Sequence, residues 1–399
     1  MFENIIGNES TISAIRREIL SKEFPQAVLF AGPKYSGKLS TALETARILA
    51  CEKKAEWPCT CTACIQSKQL LHPYTILCGY RTFAAEIAAA ANTLQRVRTP
   101  ASQHLFVRSI RKLTRRFDAH IFTTEESKRK IIQDCIMKIE DSLDAVSPGR
   151  PLAENKLLTK QISEMTGLAG TLEQFVPKDN IPVSQIRNII QWSFETTASE
   201  KKIIIIENAS GMLDSSRNAL LKILEEPPQH THFILITPRP DELIATIRSR
   251  VRKYRFLPRT HEQTSEILTR VFKEETIDFP SLRDYFLAWE DINAELLGQL
   301  VLRFAENILL PKPVILQNAL PQLFEKKAPS TLCRTFLEEL LIHFRRQLAE
   351  SPPDQEPALL ERFERWTKLL HARYREYATL NISMELFLER LYLELREAV

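Results

Sequence analysis

Residues 27 to 49 limit the fold more than any other stretch of this 399-residue chain. Ala27-Val28-Leu29-Phe30-Ala31 is a short apolar run and predicts a buried parallel strand. Gly32-Pro33-Lys34-Tyr35-Ser36-Gly37-Lys38 follows as a loop, and Lys38–Leu49 reads as a helix. The order strand, glycine loop, helix fits GxxxxGK. Such a loop points backbone N–H groups at phosphate oxygens, and the helix N-terminus adds a favourable dipole. Lys38 would reach the terminal phosphates. The next residue should be Ser or Thr, to hold magnesium. Leu39 stands there and has no ligand atom. Ser40 lies about 100° further round the helix and does not simply replace it.

The same alternation returns later. Thr11–Leu20 is an amphipathic helix with Ile12, Ile15, Ile19 and Leu20 on one face. Strands are expected at Lys202–Glu207 and Phe233–Thr237, with a helix Ser215–Leu224 between them. Alternating strands and helices predict a parallel sheet covered on both faces. From about Ile76 to Asp179 the pattern breaks into four expected helices, Ala84–Val97, Leu105–Phe117, Glu125–Val146 and Asn155–Leu172. Thr123 and Glu126 suit a capping box at the third. A helical insertion is plausible where a surface loop can accept it. After Pro258 the chain reads as helical, with a loop at Ser351–Pro357.

Nine glycines suit a helix-rich chain. No apolar run reaches the roughly 18 to 20 residues of a bilayer span, and Met1-Phe2-Glu3-Asn4 does not open a signal peptide, so a cytoplasmic location is expected. Seven cysteines in that compartment are not expected to form disulfides. Four of them, Cys51, Cys59, Cys61 and Cys64, crowd together directly after the loop helix. Four soft thiolates at such range suit tetrahedral zinc, a structural site with no open position for water; free thiols are the alternative.

A net charge of +4 does not by itself argue for nucleic acid, so its distribution matters. Ile87–Phe117 contains no Asp or Glu. Within it, Phe106, Ile110, Leu113 and Phe117 share one helix face, and Arg108, Arg111, Lys112 and Arg115 share the other. That basic face could neutralise DNA phosphates without reading sequence. A solvated face or a contact with an acidic partner is the other reading.

The run Asn218–Arg250, NALLKILEEPPQHTHFILITPRPDELIATIRSR, comes shortly after the apolar strand Lys202–Ile206. With Phe2–Pro73 and the rest of Ile181–Leu257 it resembles bacterial DNA polymerase III clamp-loader subunits of the delta-prime and gamma/tau kind. The C-terminal helices resemble them more loosely. Phe363, Trp366, Leu369 and Leu370, then Leu386, Leu388, Leu391 and Leu395, lie there at helical spacing, and Leu380–Leu386 is similar to the family's turn into its last helix.

The resemblance implies an α/β P-loop AAA+ domain over 1–258, with a zinc module about 51–64 and the helical insertion about 76–179. A small helical lid over 259–300 and an all-helical oligomerising collar over 301–399 would follow. In this family the strand ends in an Asp-Glu pair, the Asp supporting magnesium and the Glu orienting the attacking water. Here the pair is Glu207-Asn208, and Asn208 cannot accept a proton from water as a carboxylate can. Loss of the chain's own ATPase is therefore expected, with ATP binding itself left open. Thr237 matches the family's phosphate-sensing position. Ser249-Arg250-Val251 resembles the family's Ser-Arg-Cys motif, whose arginine enters the ATP site of the adjacent subunit, so Arg250 is the implied arginine finger. The family's zinc module has two residues between its second and third ligands, where this chain has only Thr60.

The function so implied is that of a delta-prime-like, largely rigid accessory subunit of a DNA-directed DNA polymerase complex. It would work in a hetero-oligomer with gamma/tau and delta subunits, and help place the sliding clamp on primed DNA. An active gamma/tau-type ATPase and an unrelated P-loop protein are the rival readings.

Overall fold

The computed structural model describes residues 1–178, 180–195, 201–276, 278–324, 330–352, 356–380 and 382–398. Five strands form one sheet: β1 (Ala27–Ala31), β2 (Thr75–Gly79), β3 (Lys202–Glu207), β4 (Thr231–Thr237) and β5 (Arg252–Arg255). Their order is β2-β3-β4-β1-β5, and every pairing is parallel. Every residue of β1, β3 and β4 is buried, as strands covered on both faces require. The period-two alternation splits β3 cleanly. Ile204 and Ile206 join Leu29, Phe233 and Leu235 in one core. Ile203 and Ile205 join Val28, Phe30 and Ile234 in the other.

Helices α1 (Glu9–Leu20) and α2 (Lys38–Ala50) cover the second face, followed by the short α3 (Thr62–Lys68). Four helices then interrupt the α/β pattern: α4 (Ala84–Val97), α5 (Pro100–Thr114), α6 (Glu126–Ala145) and α7 (Asn155–Glu173). They enclose a core of their own around Phe106, Ile110, Leu113, Ile139, Met165 and Leu172. Helices α8 (Val183–Phe194), α9 (Asp214–Glu225) and α10 (Ala245–Arg248) resume the α/β pattern. After β5 come α11 (His261–Arg270) and α12 (Leu282–Ala288).

Around the insertion, three expectations change. Residues 75–79 are β2, the partner of β3, and not the start of the insertion, which begins after Gly79. Helix α5 starts earlier than expected, at Pro100, with Thr99 and Ser102 forming a reciprocal capping box. The expected box at Thr123 and Glu126 is absent: Glu125 is the N-cap of α6 and gives no side-chain bond.

The chain divides into two compact units, Met1–Phe286 and Leu287–Val399. The second is helical: α13 (Ala294–Leu309), α14 (Leu316–Ala319), α15 (Pro321–Phe324), α16 (Ser330–Glu350), α17 (Glu356–Leu380) and α18 (Met384–Glu397). Helix α13 runs across the expected division at 300/301. Phe304, Phe336, Leu340, Phe344, Trp366, Leu388 and Leu391 fill this unit's core, and Trp366 Nε1 donates to the Leu395 carbonyl at 2.9 Å. Part of the expected loop Ser351–Pro357, and Asn381 in the expected turn, lie outside the described residues.

Candidate functional site

Parallel strands bring their C-terminal ends to one side of the sheet, where open α/β folds hold their ligands. Ala31 pairs with Thr237, and Gly79 with Glu207. The glycine loop, Glu207, Asn208 and Thr237 are thereby gathered. What the gathered side chains do is specific to this chain.

Lys38 Nζ turns back onto its own loop. It donates to the carbonyls of Gly32, at 2.6 Å, and Pro33, and to Ser36 Oγ at 3.2 Å. Burial lowers it to about 8, although Glu207 opposes the shift. Arg259, four residues after β5, donates from Nη1 to the Tyr35 carbonyl at 2.9 Å and from Nη2 to the Ile6 carbonyl at 3.3 Å. Gly37 sits at φ 93°, a left-handed conformation that favours glycine, and a Cβ there would come within 2.7 Å of the flexible end of Arg259, at Nη2. Asn8 Nδ2 closes the loop from the other side through the Ser36 carbonyl at 3.0 Å. Leu39 packs into the core beside Val28, Phe30 and Ala42. The position after the lysine is thus used for packing.

Glu207 is buried at the end of β3. Its carboxylate meets Arg116 Nη2 and lies 3.6 Å from Arg81 Nη1. Arg116 also donates from Nη1 to the Cys78 carbonyl at 2.6 Å and from Nε to the Lys112 carbonyl at 3.2 Å. Arg81 pairs with Glu86 at 2.6 Å, and Glu86 pairs with Lys112. Burial pushes the Glu86 carboxyl up, but Lys112 and Arg81 together hold it down at about 2. Asn208 adopts a left-handed conformation, φ 53° and ψ 44°, and its Nδ2 donates to the Tyr80 carbonyl at 2.6 Å. Thr237 Oγ1 donates to Ser210 Oγ at 3.0 Å and accepts from the Arg239 backbone at 3.1 Å. Sequence reasoning missed Arg81, Arg116 and Arg259. Arg116 belongs to the basic run, but no spacing rule links it to a glutamate ninety-one positions away.

The four clustered cysteines do come together, with all their Sγ atoms within 4.8 Å of one another. Four thiolates about 2.3 Å from a tetrahedral zinc stand about 3.8 Å apart. Cys51 Sγ lies 3.8 Å from both Cys59 Sγ and Cys61 Sγ. The tight Cys59-Thr60-Cys61 turn is accommodated because Cys61 is the N-cap of α3, which carries Cys64 in its first turn. The donor set therefore fits a closed structural zinc site. Arg47, buried in α2, supports it: Nη1 donates to Cys64 Sγ at 3.0 Å, Nη2 to the Ala55 carbonyl at 2.8 Å, and Nε to Glu44 at 2.9 Å. Protein purified under reducing, chelator-free conditions is expected to hold one zinc per chain by elemental analysis. Cys64→Ser is expected to lose the metal and the order of residues 51–68, because structural metal binding contributes folding free energy. Stoichiometric absence of zinc from the parent protein would overturn this.

The basic face of α5 is engaged by the chain's own carbonyls and carboxylates, with Arg111 buried and Arg108, Lys112 and Arg115 half-buried. Arg108 Nη1 donates to the Lys68 carbonyl at 2.7 Å, and Arg111 Nη1 to the Gln69 carbonyl at 3.1 Å. Arg111 Nη2 pairs with Glu140 at 3.0 Å. Arg115 Nη2 reaches the Thr75 carbonyl and Asp118, each at 3.1 Å. Lys112 is held by Glu86. These cations cap carbonyls at the end of α3 and the start of β2, and so dock the insertion on the α/β layer.

Arg250 follows the short α10. Its Nη1 donates to the Thr246 carbonyl at 2.8 Å, and its Nε to Glu225 Oε1, at the end of α9, at 2.7 Å. The side chain stays 29% exposed. No described helix is long and apolar enough to cross a membrane.

The family model described as DNA polymerase III, delta subunit, matches residues 7–146 and 153–260, more than half of the chain and much of the insertion. The delta' subunit of Buchnera aphidicola subsp. Baizongia pistaciae is 36% identical over 99 residues, 25% of this chain and 28% of that protein. The delta' subunit of Escherichia coli K12 is 34% identical over 94 residues, 23% and 28% of the two chains. The tau subunit of Bacillus subtilis is 24% identical over 257 residues, 64% of this chain and 29% of its own length. These alignments thus span less than a third of each relative. On the length of the family match, the chain belongs to the DNA polymerase III delta-subunit family of clamp-loader subunits.

Proposed function

We propose that this chain is a delta-prime-type subunit of the DNA polymerase III clamp loader that does not hydrolyse ATP itself. It works in the cytoplasm in a hetero-oligomer with gamma/tau and delta subunits, helps load the sliding clamp onto primed DNA, and supplies Arg250 to a neighbour's ATP site. The observation that carries the first part is the pairing of Glu207 with Arg81 and Arg116. A carboxylate already neutralised by two guanidinium groups is a poor magnesium ligand, and Leu39 and Asn208 supply neither the second ligand nor the water-orienting carboxylate. Zinc at the four cysteines would be a folding element, and its chemistry would be confined to holding α3 and the preceding loop.

The test is ATP turnover by the purified chain, alone and reconstituted with gamma/tau and delta partners. No turnover alone, with clamp-dependent turnover in the assembly, is the expected result. Hydrolysis by the isolated chain that Lys38→Ala abolishes would favour the gamma/tau-type motor instead. Failure to assemble with any clamp-loader partner would remove the whole reading.

A further inference from the structure

The insertion is fastened at three places, and their positions suggest what it is for. At the sheet, Arg81 and Arg116 hold Glu207. Beside the cysteine cluster, Arg108 and Arg111 cap the Lys68 and Gln69 carbonyls. The third fastening lies beyond β5. Thr93 Oγ1 and Arg96 Nη2, both on α4, donate to the Phe272 carbonyl at 3.1 Å and 3.0 Å, and Arg96 pairs with Glu274 at 3.1 Å. Phe272 in turn packs against Tyr285 and Phe286, with ring centroids 5.1 Å and 5.7 Å away. Phe286 stacks on Tyr35 of the glycine loop at 5.4 Å.

We propose that the insertion is an internal brace: its guanidinium groups take the place of the metal at Glu207, and its helix α4 clamps the α11–α12 segment to the glycine-loop layer whether or not nucleotide is present. The first half rests on the reading of this site as a degenerate ATP site. The clamp rests on the geometry alone. A buried carboxylate needs a compensating cation. A diffusible ion supplies it only in proportion to its concentration, whereas Arg116 is tethered to the chain and permanently charged. The same logic holds for the segment after β5, which Thr93, Arg96, Arg259 and the Tyr35–Phe286 stack fasten through the chain's own residues.

Hydrogen–deuterium exchange on the full chain tests this, with and without magnesium and ATP. In Thr93→Val with Arg96→Ala, exchange over residues 261–274 should rise about tenfold or more, the loss of roughly two hydrogen bonds, while β1, β3 and β4 keep their protection. Arg96→Ala alone, at a partly exposed position, should give a smaller rise and covers a failure of the double variant to fold. In the parent chain, magnesium and ATP should change protection nowhere in residues 261–286. Parental exchange rates over 261–274 in the variants would sink the clamp. Nucleotide-dependent protection there in the parent would sink the independence. ATP turnover by the parent chain would remove the degenerate-site reading and leave the clamp to be judged by the variants.

Discussion

In a reconstituted assembly, Arg250→Ala is expected to slow ATP turnover at the adjoining subunit's site by about a thousandfold or more. Arg250 ends the segment with the densest family-like sequence, on a turn between α10 and β5. Its Nε and Nη2 face Glu225, while Nη1 rests on the Thr246 carbonyl. A guanidinium held this way is pre-oriented, and its planar fork can place two bonds on phosphate oxygens as charge develops there. The pair with Glu225 is solvent-exposed, so losing it costs this chain only about 0–1 kcal/mol. Folding and assembly should therefore survive the substitution, and the defect should be confined to turnover. Arg250→Lys keeps the charge but loses the fork, and should recover only part of the rate. The readouts are clamp-stimulated ATPase and clamp loading. A whole-assembly loss smaller than the single-site loss is expected if other sites fire independently. Parental rates in a correctly assembled Arg250→Ala complex would make Arg250 an ordinary surface arginine paired with Glu225.

The strands most visible in the sequence were those with a consistent local signal. Ala27–Ala31 and Lys202–Glu207 are apolar runs too rich in β-branched or small residues to need context, and both have the expected bounds. Thr75–Gly79 is equally apolar, yet its partner β3 follows more than a hundred residues later, and a five-residue run has no period to read. Arg252–Arg255 was invisible for the opposite reason: an edge strand can carry charge on all but one residue, and only Tyr254 is buried. The cysteine cluster was legible from residue type and spacing alone. The basic face of α5 was legible as a face but not in its direction. Cations at three- and four-residue spacing normally point to water, and the acceptors that draw these inward are backbone carbonyls at Lys68, Gln69 and Thr75, which no side-chain pattern displays. Leu39 and Asn208 are legible as departures from the phosphate-loop and strand-end patterns, but the arginines around Glu207 could be found only once the chain was folded.

Those arginines carry the second large effect. Arg116→Met should destabilise the first unit by about 3 kcal/mol, read as a lower midpoint in denaturant unfolding. The guanidinium is buried and makes three kinds of contact: the Glu207 carboxylate, the Cys78 carbonyl at 2.6 Å and the Lys112 carbonyl at 3.2 Å. Methionine fills most of the volume, so the cost comes from a buried carboxylate left with Arg81 alone and from two lost bonds to carbonyls, and not from a cavity. Removing one partner of a buried pair costs about 3–5 kcal/mol, and the lower end applies here because Arg81 remains 3.6 Å from Glu207. Arg116→Lys keeps a charge but cannot span both the carboxylate and the strand carbonyl, and should fall between the parent and Arg116→Met. The decisive comparison is Arg116→Met combined with Glu207→Gln. If the uncompensated charge is the cause, the second substitution should return part of the lost stability, a coupling that independent sites would not show. Additive losses, or an Arg116→Met protein as stable as the parent, would mean that Glu207 draws nothing from Arg116 and that Arg81 is the insertion's remaining hold on it.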